Sequence, residues 1–335
     1  MTSTYLELRD RPVFICGYPK SGTSLLSALL DSHPQLVVYP EETLFFRRYL
    51  PVAEGRSLDE QIRLAEKLLI HIFQWNQQDP PDHQAGYPDR DYSAIAYEQV
   101  AALLGQSLSD HDCRHPGDIL YAAIRAYGEV SGQLTPQCTR WVEKSPYNER
   151  YAEAIFAWWP QARCIHIIRD PRDNYASYQR KKRHWSAEFF AHHWVGSTRK
   201  GFENRAAYGP ENYWLLRYED LVTAPEAFIE QLCGFLEIEA HPILAVPSRV
   251  GIPWEGNSMF DEQFEAISAK PVGRWRQALP PAEVAVIEHL ARPLMDDLDY
   301  RRTSRRSLTT SLRLASWPLR RRLAALFGRR EGEHR

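Results

Sequence analysis

Short apolar runs alternate along this chain with stretches of helical spacing. Val13-Phe14-Ile15-Cys16 is an apolar run ending at a glycine turn, which predicts a buried strand. Beyond the turn, Leu25, Leu26, Leu29 and Leu30 share one face of a helix predicted over 23–31. Further strands are predicted at Leu36–Tyr39, Thr139–Val142, Arg163–Ile168 and Tyr213–Tyr218. Helices are predicted at Leu58–Phe73, Ile119–Gly128, Tyr151–Trp159, Ala187–Ala206, Pro225–Leu236 and Pro280–Leu294. Another runs from Pro171 to Lys181, with Asp170 as its N-cap and proline at its first position. Pro80, Pro81, Gly86 and Pro88 make 77–91 an exposed loop. No hairpin signal and no internal repeat is visible. Strands alternating with helices predict an α/β domain over residues 1–300, three layers (α/β/α) around a central parallel sheet. Ligands of such sheets bind beyond the carboxyl ends of the strands. Lys20, Glu41, Glu42, Lys144, Arg169 and Tyr218 gather at those ends.

The first strand, its glycine loop and the following helix form an arrangement that cradles phosphate. Amides of a first helical turn point outward, and the helix dipole favours an anion. The spacing is close to the G-x-x-x-x-G-K-[ST] loop of nucleoside triphosphatases. Gly17 and Gly22 match, and Ser24 takes the hydroxyl position. Thr23 stands where that loop has lysine, and Lys20 lies three residues earlier, inside the loop. The shifted cation argues against an ordinary ATPase or kinase and for a related but different anhydride.

Composition narrows the setting. The 335 residues are 44% hydrophobic and 25% charged, a normal globular mixture. No apolar run is long enough for a membrane span, and the first ten residues lack the apolar core of a secretory signal. Five scattered cysteines without a C-x-x-C fit a reducing cytosol. The net charge of −2 hides an asymmetry. Residues 301–335 hold 11 arginines against Glu331 and Glu333, about +9, which leaves about −11 for the rest. Apolar patches at 312–319 and 323–327 lie among those arginines. The tail is either an amphipathic segment lying on an anionic membrane surface or a disordered or core-packed extension. The acidic core speaks against nucleic acid as a partner.

Three motifs resemble the sulfotransferases that use 3′-phosphoadenosine 5′-phosphosulfate (PAPS) as donor and release PAP. Tyr18-Pro19-Lys20-Ser21-Gly22-Thr23 looks like the family's 5′-phosphosulfate loop. Arg169-Asp170-Pro171 through Ser177-Tyr178 looks like its 3′-phosphate site, an arginine at a strand end and a serine eight residues on. Val272-Gly273-Arg274-Trp275-Arg276 resembles the late glycine–tryptophan motif that closes over the nucleotide. Tyr218 resembles the tyrosine that approaches adenine. Pro40-Glu41-Glu42-Thr43 is similar to a stretch of tyrosylprotein sulfotransferases whose second glutamate is the base. The pattern is nearer the bacterial, carbohydrate and tyrosylprotein types than the vertebrate cytosolic ones, which use histidine. His166 reads as core and His192-His193 as a helix face.

The resemblance implies a P-loop nucleotide-kinase-like fold and transfer of a sulfuryl group to an acceptor hydroxyl or amine. It implies Lys20 on the bridging oxygen, Lys144 as the second active-site lysine and Glu42 as base, with Glu41 as the alternative. Ser21, Gly22, Thr23 and Ser24 would hold the 5′-phosphate. Arg169, Ser177, Tyr218, Gly273, Arg274 and Trp275 would complete the donor site. No His, Cys, Asp or Glu set has metal-ligand spacing, so no metal requirement is expected. A carbohydrate, lipid-linked or small-molecule acceptor is expected, its pocket shaped by loops around 77–118 and 183–212. The expected location is the cytoplasm, with the tail reaching the inner face of the membrane under the amphipathic reading. A P-loop kinase using ATP and an inactive nucleotide-binding module stay open as rivals.

Overall fold

The computed structural model describes residues 8–109, 113–181, 185–256, 258–260, 262–264, 266–304 and 310–317. The chain runs β1 (Pro12–Cys16), α1 (Thr23–Leu30), β2 (Leu36–Val38), α2 (Leu58–Ala65), α3 (Tyr97–Ser109), α4 (Gly117–Val130) and β3 (Arg140–Lys144). It continues α5 (Ala152–Trp158), β4 (Arg163–Ile168), α6 (Pro171–Lys181), α7 (Ala187–Tyr208), β5 (Tyr213–Arg217), α8 (Tyr218–Thr223) and α9 (Pro225–Leu236). The order ends with β6 (Ser248–Arg249), β7 (Ile252–Pro253), α10 (Pro281–Leu290) and α11 (Arg292–Asp297).

Five strands pair in the order β2-β3-β1-β4-β5, all parallel. Both faces are covered by helices, which is why β1 and β3 are buried along their whole length. On one side Phe14, Trp141 and Trp159 meet pairwise with centroids 5.6, 5.5 and 5.3 Å apart. Such ring pairs add about 0.5–1.5 kcal/mol each beyond their area burial. On the other side Ile15, Ile165 and Ile167 pack on Leu26, Leu29 and Leu232. The expected three-layer α/β architecture is present. β1 lies at the centre, and the connection leaving β1 runs to the opposite side from the one leaving β4. The crevice at their carboxyl ends is therefore the topological switch point where such sheets take ligands.

Several elements differ from the sequence-based expectation. Residues 58–74 are not one α-helix: α2 ends at Ala65, and a π-helical and a 3₁₀ turn follow to Gln74. The stretch 77–118 is not all loop, because α3 packs Val100 and Leu104 into the core. The helix predicted at Ala187–Ala206 is present as α7, Ala187–Tyr208, and what differs is that 183–212 is therefore mostly helix rather than pocket loop, with residues 187–191 buried. A hairpin exists: β6 and β7 pair antiparallel, Ser248 with Pro253. β5 stops at Arg217, and Tyr218 opens α8. The last predicted helix breaks at Ala291 into α10 and α11.

Residues beyond Tyr300 also touch the domain. Thr303 and Ser304 amides donate to the buried Glu288 carboxylate at 3.0 and 2.7 Å. Residues 310–317 are helical, and there Arg313 pairs with Glu188 at 2.8 Å and Trp317 stacks on His192 at 4.7 Å. The apolar patch at 323–327 lies outside the described residues. No helix among the described residues is long and apolar enough to cross a membrane.

Candidate active site

Gly17 and Gly22 shape the loop between β1 and α1. Gly17 has φ 139°, and a Cβ there would lie 2.5 Å from the Ile167 carbonyl oxygen. Gly22 has φ 110°, and its Cβ would lie 2.5 Å from the Tyr218 ring. Only glycine fits either position without displacing a neighbour. Between them Lys20 stands at φ 68°, a left-handed conformation that costs a residue with a side chain of order 1 kcal/mol or more. Two buried groups brace this crown. The Gly17 amide donates to Glu149 Oε2 at 3.2 Å, and Asn174 Nδ2 donates to the Pro19 carbonyl at 3.1 Å. Burial raises the Glu149 pKa. α1 then starts at Thr23 without a side-chain cap, so its first amides remain for an anion.

Across the switch point, β4 delivers Arg169 beside this loop. The Asp170 carboxylate accepts the Arg172 amide at 2.9 Å, the expected N-cap of α6. One Arg169 nitrogen lies 3.4 Å from Ser177 Oγ and 3.4 Å from the Lys20 carbonyl. The other donates to the Pro271 carbonyl at 3.1 Å, and the guanidinium lies 4.6 Å from the centroid of the Tyr218 ring. Arg169, Ser177, Lys20 and Tyr218 thus come together as the sequence suggested. Asp173 was not singled out, yet it joins the late motif to α6. Its carboxylate accepts the Gly273 amide at 2.6 Å and the Trp275 amide at 2.8 Å.

A cavity of about 1140 Å³ opens on these residues. Lys20, Gly22, Thr23, Ser24, Arg169, Ser177, Tyr218 and Arg274 line it together with Glu41, Glu42 and Lys144. Ser21, Gly273 and Trp275 do not. Ser21 is buried beneath the loop, and Trp275 is buried with the Arg172 guanidinium 4.1 Å from its ring centroid. The Ser21 hydroxyl and Arg169 Nε are buried polar atoms without a hydrogen-bond partner. An unmatched guanidinium nitrogen, uncapped helix amides and a serine–arginine pair fit a nucleotide with two separate phosphate groups.

The two adjacent glutamates have different surroundings. Glu41 is buried, and its Oε1 takes the Tyr92 hydroxyl at 2.7 Å, Arg90 at 3.0 Å and Arg249 at 3.2 Å. Glu42 is about a third exposed and meets Lys144 Nζ at 3.0 Å. The end of β3 sets that pairing. Glu143 takes the Thr43 hydroxyl at 2.7 Å, and the Ser145 hydroxyl takes the Leu44 amide at 2.9 Å. The turn carrying Glu42 is therefore fastened to the strand carrying Lys144. Burial raises the Glu143 pKa, against the hydrogen bonds it receives. His166 is core: it bonds to the Tyr213 hydroxyl at 2.9 Å, and burial lowers its pKa to about 3.

Residues 12–242 match the sulfotransferase family model. The chain belongs to the sulfotransferase family. It is 24% identical over 312 residues to protein-tyrosine sulfotransferase A of Caenorhabditis elegans, covering 86% of this chain and 67% of that one. It is 24% identical over 258 residues to the omega-hydroxy-beta-dihydromenaquinone-9 sulfotransferase Stf3 of Mycobacterium bovis, covering 67% and 62%. It spans 26% of a further relative in Aquifex aeolicus, at 25% identity over 68% of this chain. Among solved structures it matches the sulfotransferase domain from the curacin biosynthetic pathway with a TM-score of 0.51 at 18% identity, covering 87% of this chain and 98% of that domain. That likeness supports the P-loop-like sulfotransferase fold of the five-stranded sheet.

Proposed function

We propose that this sulfotransferase takes PAPS as donor, sulfates an acceptor hydroxyl or amine and releases PAP. The observation that carries the reading is one cavity holding both halves of such a site. The loop Lys20–Ser24 and the Arg169–Ser177 pair stand on one side, and the Glu42–Lys144 pair stands on another. PAPS supplies an activated sulfuryl group on a phosphate leaving group. Lys20 holds its charge against the bridging oxygen as negative charge grows there, and Lys144 neutralises the equatorial oxygens. Gly22, Thr23, Ser24 and the first amides of α1 hold the 5′-phosphate, with Ser21 supporting the loop from beneath. Arg169 and Ser177 hold the 3′-phosphate, and Tyr218 lies where adenine approaches. Gly273 and Trp275 act from behind the wall by fixing Arg274. Glu42 takes the acceptor proton, because Glu41 is already bonded to three donors.

Away from Arg169 and Arg274 the cavity wall carries Trp75, Tyr87, Tyr147 and Trp254. Aromatic walls favour a ring-bearing or apolar acceptor, in line with the protein-tyrosine and omega-hydroxy-beta-dihydromenaquinone-9 acceptors named for the two relatives above. Catalysis needs no metal in this reading, since lysine and arginine supply the positive charge. The enzyme works in the cytoplasm, in keeping with the five free cysteines. Residues 1–300 carry the catalysis, and the packing of Arg313 and Trp317 on α7 supports the core-packed reading of that part of the basic tail over a membrane-bound one. Calorimetry with PAP and AMP in EDTA, followed by radiolabelled sulfate turnover, tests this. Equal affinity for the two nucleotides would refute the donor assignment, and PAP binding without turnover would leave an inactive nucleotide-binding module.

A further inference from the structure

We propose that the Tyr87 hydroxyl is itself an acceptor, so that the chain sulfates its own Tyr87. The inference rests on the donor reading above. Tyr87 lines the same cavity as Lys20, Glu42 and Lys144, from the loop between the first 3₁₀ turn and α3. Its ring is held in place. It stacks on the buried Trp75 with centroids 5.2 Å apart and planes 17° from parallel. The Arg90 guanidinium lies 5.8 Å from its centroid, and Arg90 pairs with Glu41, the neighbour of Glu42. Yet 41% of the residue is exposed, so the phenol is fixed at the wall without being sealed in. Its hydroxyl makes no hydrogen bond among the described residues. The contrast is Tyr92, whose hydroxyl is committed to Glu41.

The electrostatics agree with this placement. Burial raises the Tyr87 pKa first, and of the charges acting on the phenol Glu42 is the largest, ahead of Glu41, Arg90 and Lys144. A phenol held neutral in this way needs a base to react, and Glu42 is the base of the reading above. In the step, the bond between sulfur and the PAPS phosphate oxygen breaks and its electron pair stays on PAP. A sulfur–oxygen bond forms to Tyr87 Oη, and the phenolic proton passes to Glu42. The sulfate ester would stand beside Arg90 and Lys144, in space an acceptor must cross. Self-sulfation would therefore limit later turnover.

The test is intact-mass measurement of the full chain after incubation with PAPS alone, with peptide mapping and PAP calorimetry on every variant. The expected result is the gain of one SO₃ on the peptide holding Tyr87. It should vanish in Tyr87→Phe, which keeps the stack on Trp75, and in Glu42→Gln, while both variants still bind PAP. No gain in a wild-type chain that binds PAP, or a gain that survives Tyr87→Phe, overturns the inference and leaves the donor reading standing. A chain that does not bind PAP removes both.

Discussion

Replacing Arg169 by alanine should erase the preference of the donor site for PAP over AMP. In the structure Arg169 is almost fully buried and reaches Ser177, the Lys20 carbonyl, the Pro271 carbonyl and the Tyr218 ring at once. Its loss thus has two consequences that must be separated. The fold loses guanidinium hydrogen bonds to neutral oxygens and a cation–π contact, which lowers the thermal midpoint whatever the ligand. The ligand loses a charge-assisted contact to the 3′-phosphate, worth roughly 2–4 kcal/mol, or about 30-fold to nearly 1000-fold in affinity. Measuring PAP and AMP against wild type and Arg169→Ala makes a cycle in which the general damage cancels. Calorimetry should show wild type preferring PAP by about that factor and the variant binding the two nearly alike. A variant that keeps the full preference would mean that another cation holds the 3′-phosphate.

Glu42→Gln should lower kcat by roughly 10²–10⁴-fold with little change in PAP affinity, and near-normal turnover would place the base elsewhere. Glu41→Gln should leave more activity, with its loss appearing in acceptor KM, because its carboxylate braces Arg90 and Arg249; a dead Glu41→Gln beside an active Glu42→Gln would exchange the two roles. Gly22→Ala should cost PAP binding by more than tenfold in titrations, since its Cβ meets the Tyr218 ring at a left-handed φ; unchanged binding would show that the loop adapts. His166 stays neutral in the fold and charges in the unfolded chain, so its contribution is complete above pH 6.5 and is lost as pH falls toward 3, on the order of 2 kcal/mol by pH 5. Denaturant titrations of His166→Asn should show a shallower fall in stability between pH 6.5 and 4, and an identical slope would refute the assignment. Deletion after Tyr300 should lower the thermal midpoint by uncovering Glu188 and Glu288, and an unchanged midpoint would contradict the packing.

The parts of the site that were legible in sequence are those with local causes. Val13–Cys16, Gly17 and Gly22 signal a strand and a sterically demanding turn within a dozen residues, and Asp170-Pro171 signals a helix start. α3 was missed because its apolar run Val100–Leu104 is continuous, so the buried pair Val100 and Leu104 does not stand out as one helical face. The β6–β7 hairpin has two residues per strand and no alternation to read. A distant carboxylate holds it instead: Asp31 accepts the Ser248 hydroxyl at 2.8 Å and the Gly251 amide at 2.9 Å. Asp173, Glu143 and Glu149 escaped for the same reason. Each acts through partners that only the folded chain brings near, and nothing in its own sequence neighbourhood distinguishes it from a surface acid.

The reach of Asp173 has a consequence for synthesis on the ribosome. All five strands of the sheet are complete once Arg217 has emerged, so the scaffold and the glycine loop can form early. The amides that Asp173 awaits lie 100 and 102 residues downstream. Until they arrive, a buried carboxylate on the nucleotide side of α6 has no backbone donors from that segment, and Arg169 lacks the Pro271 carbonyl. A nascent chain halted near residue 242 would own the scaffold without a finished nucleotide pocket. Donor binding should therefore switch on late in translation, at the passage of Trp275 rather than at completion of the sheet.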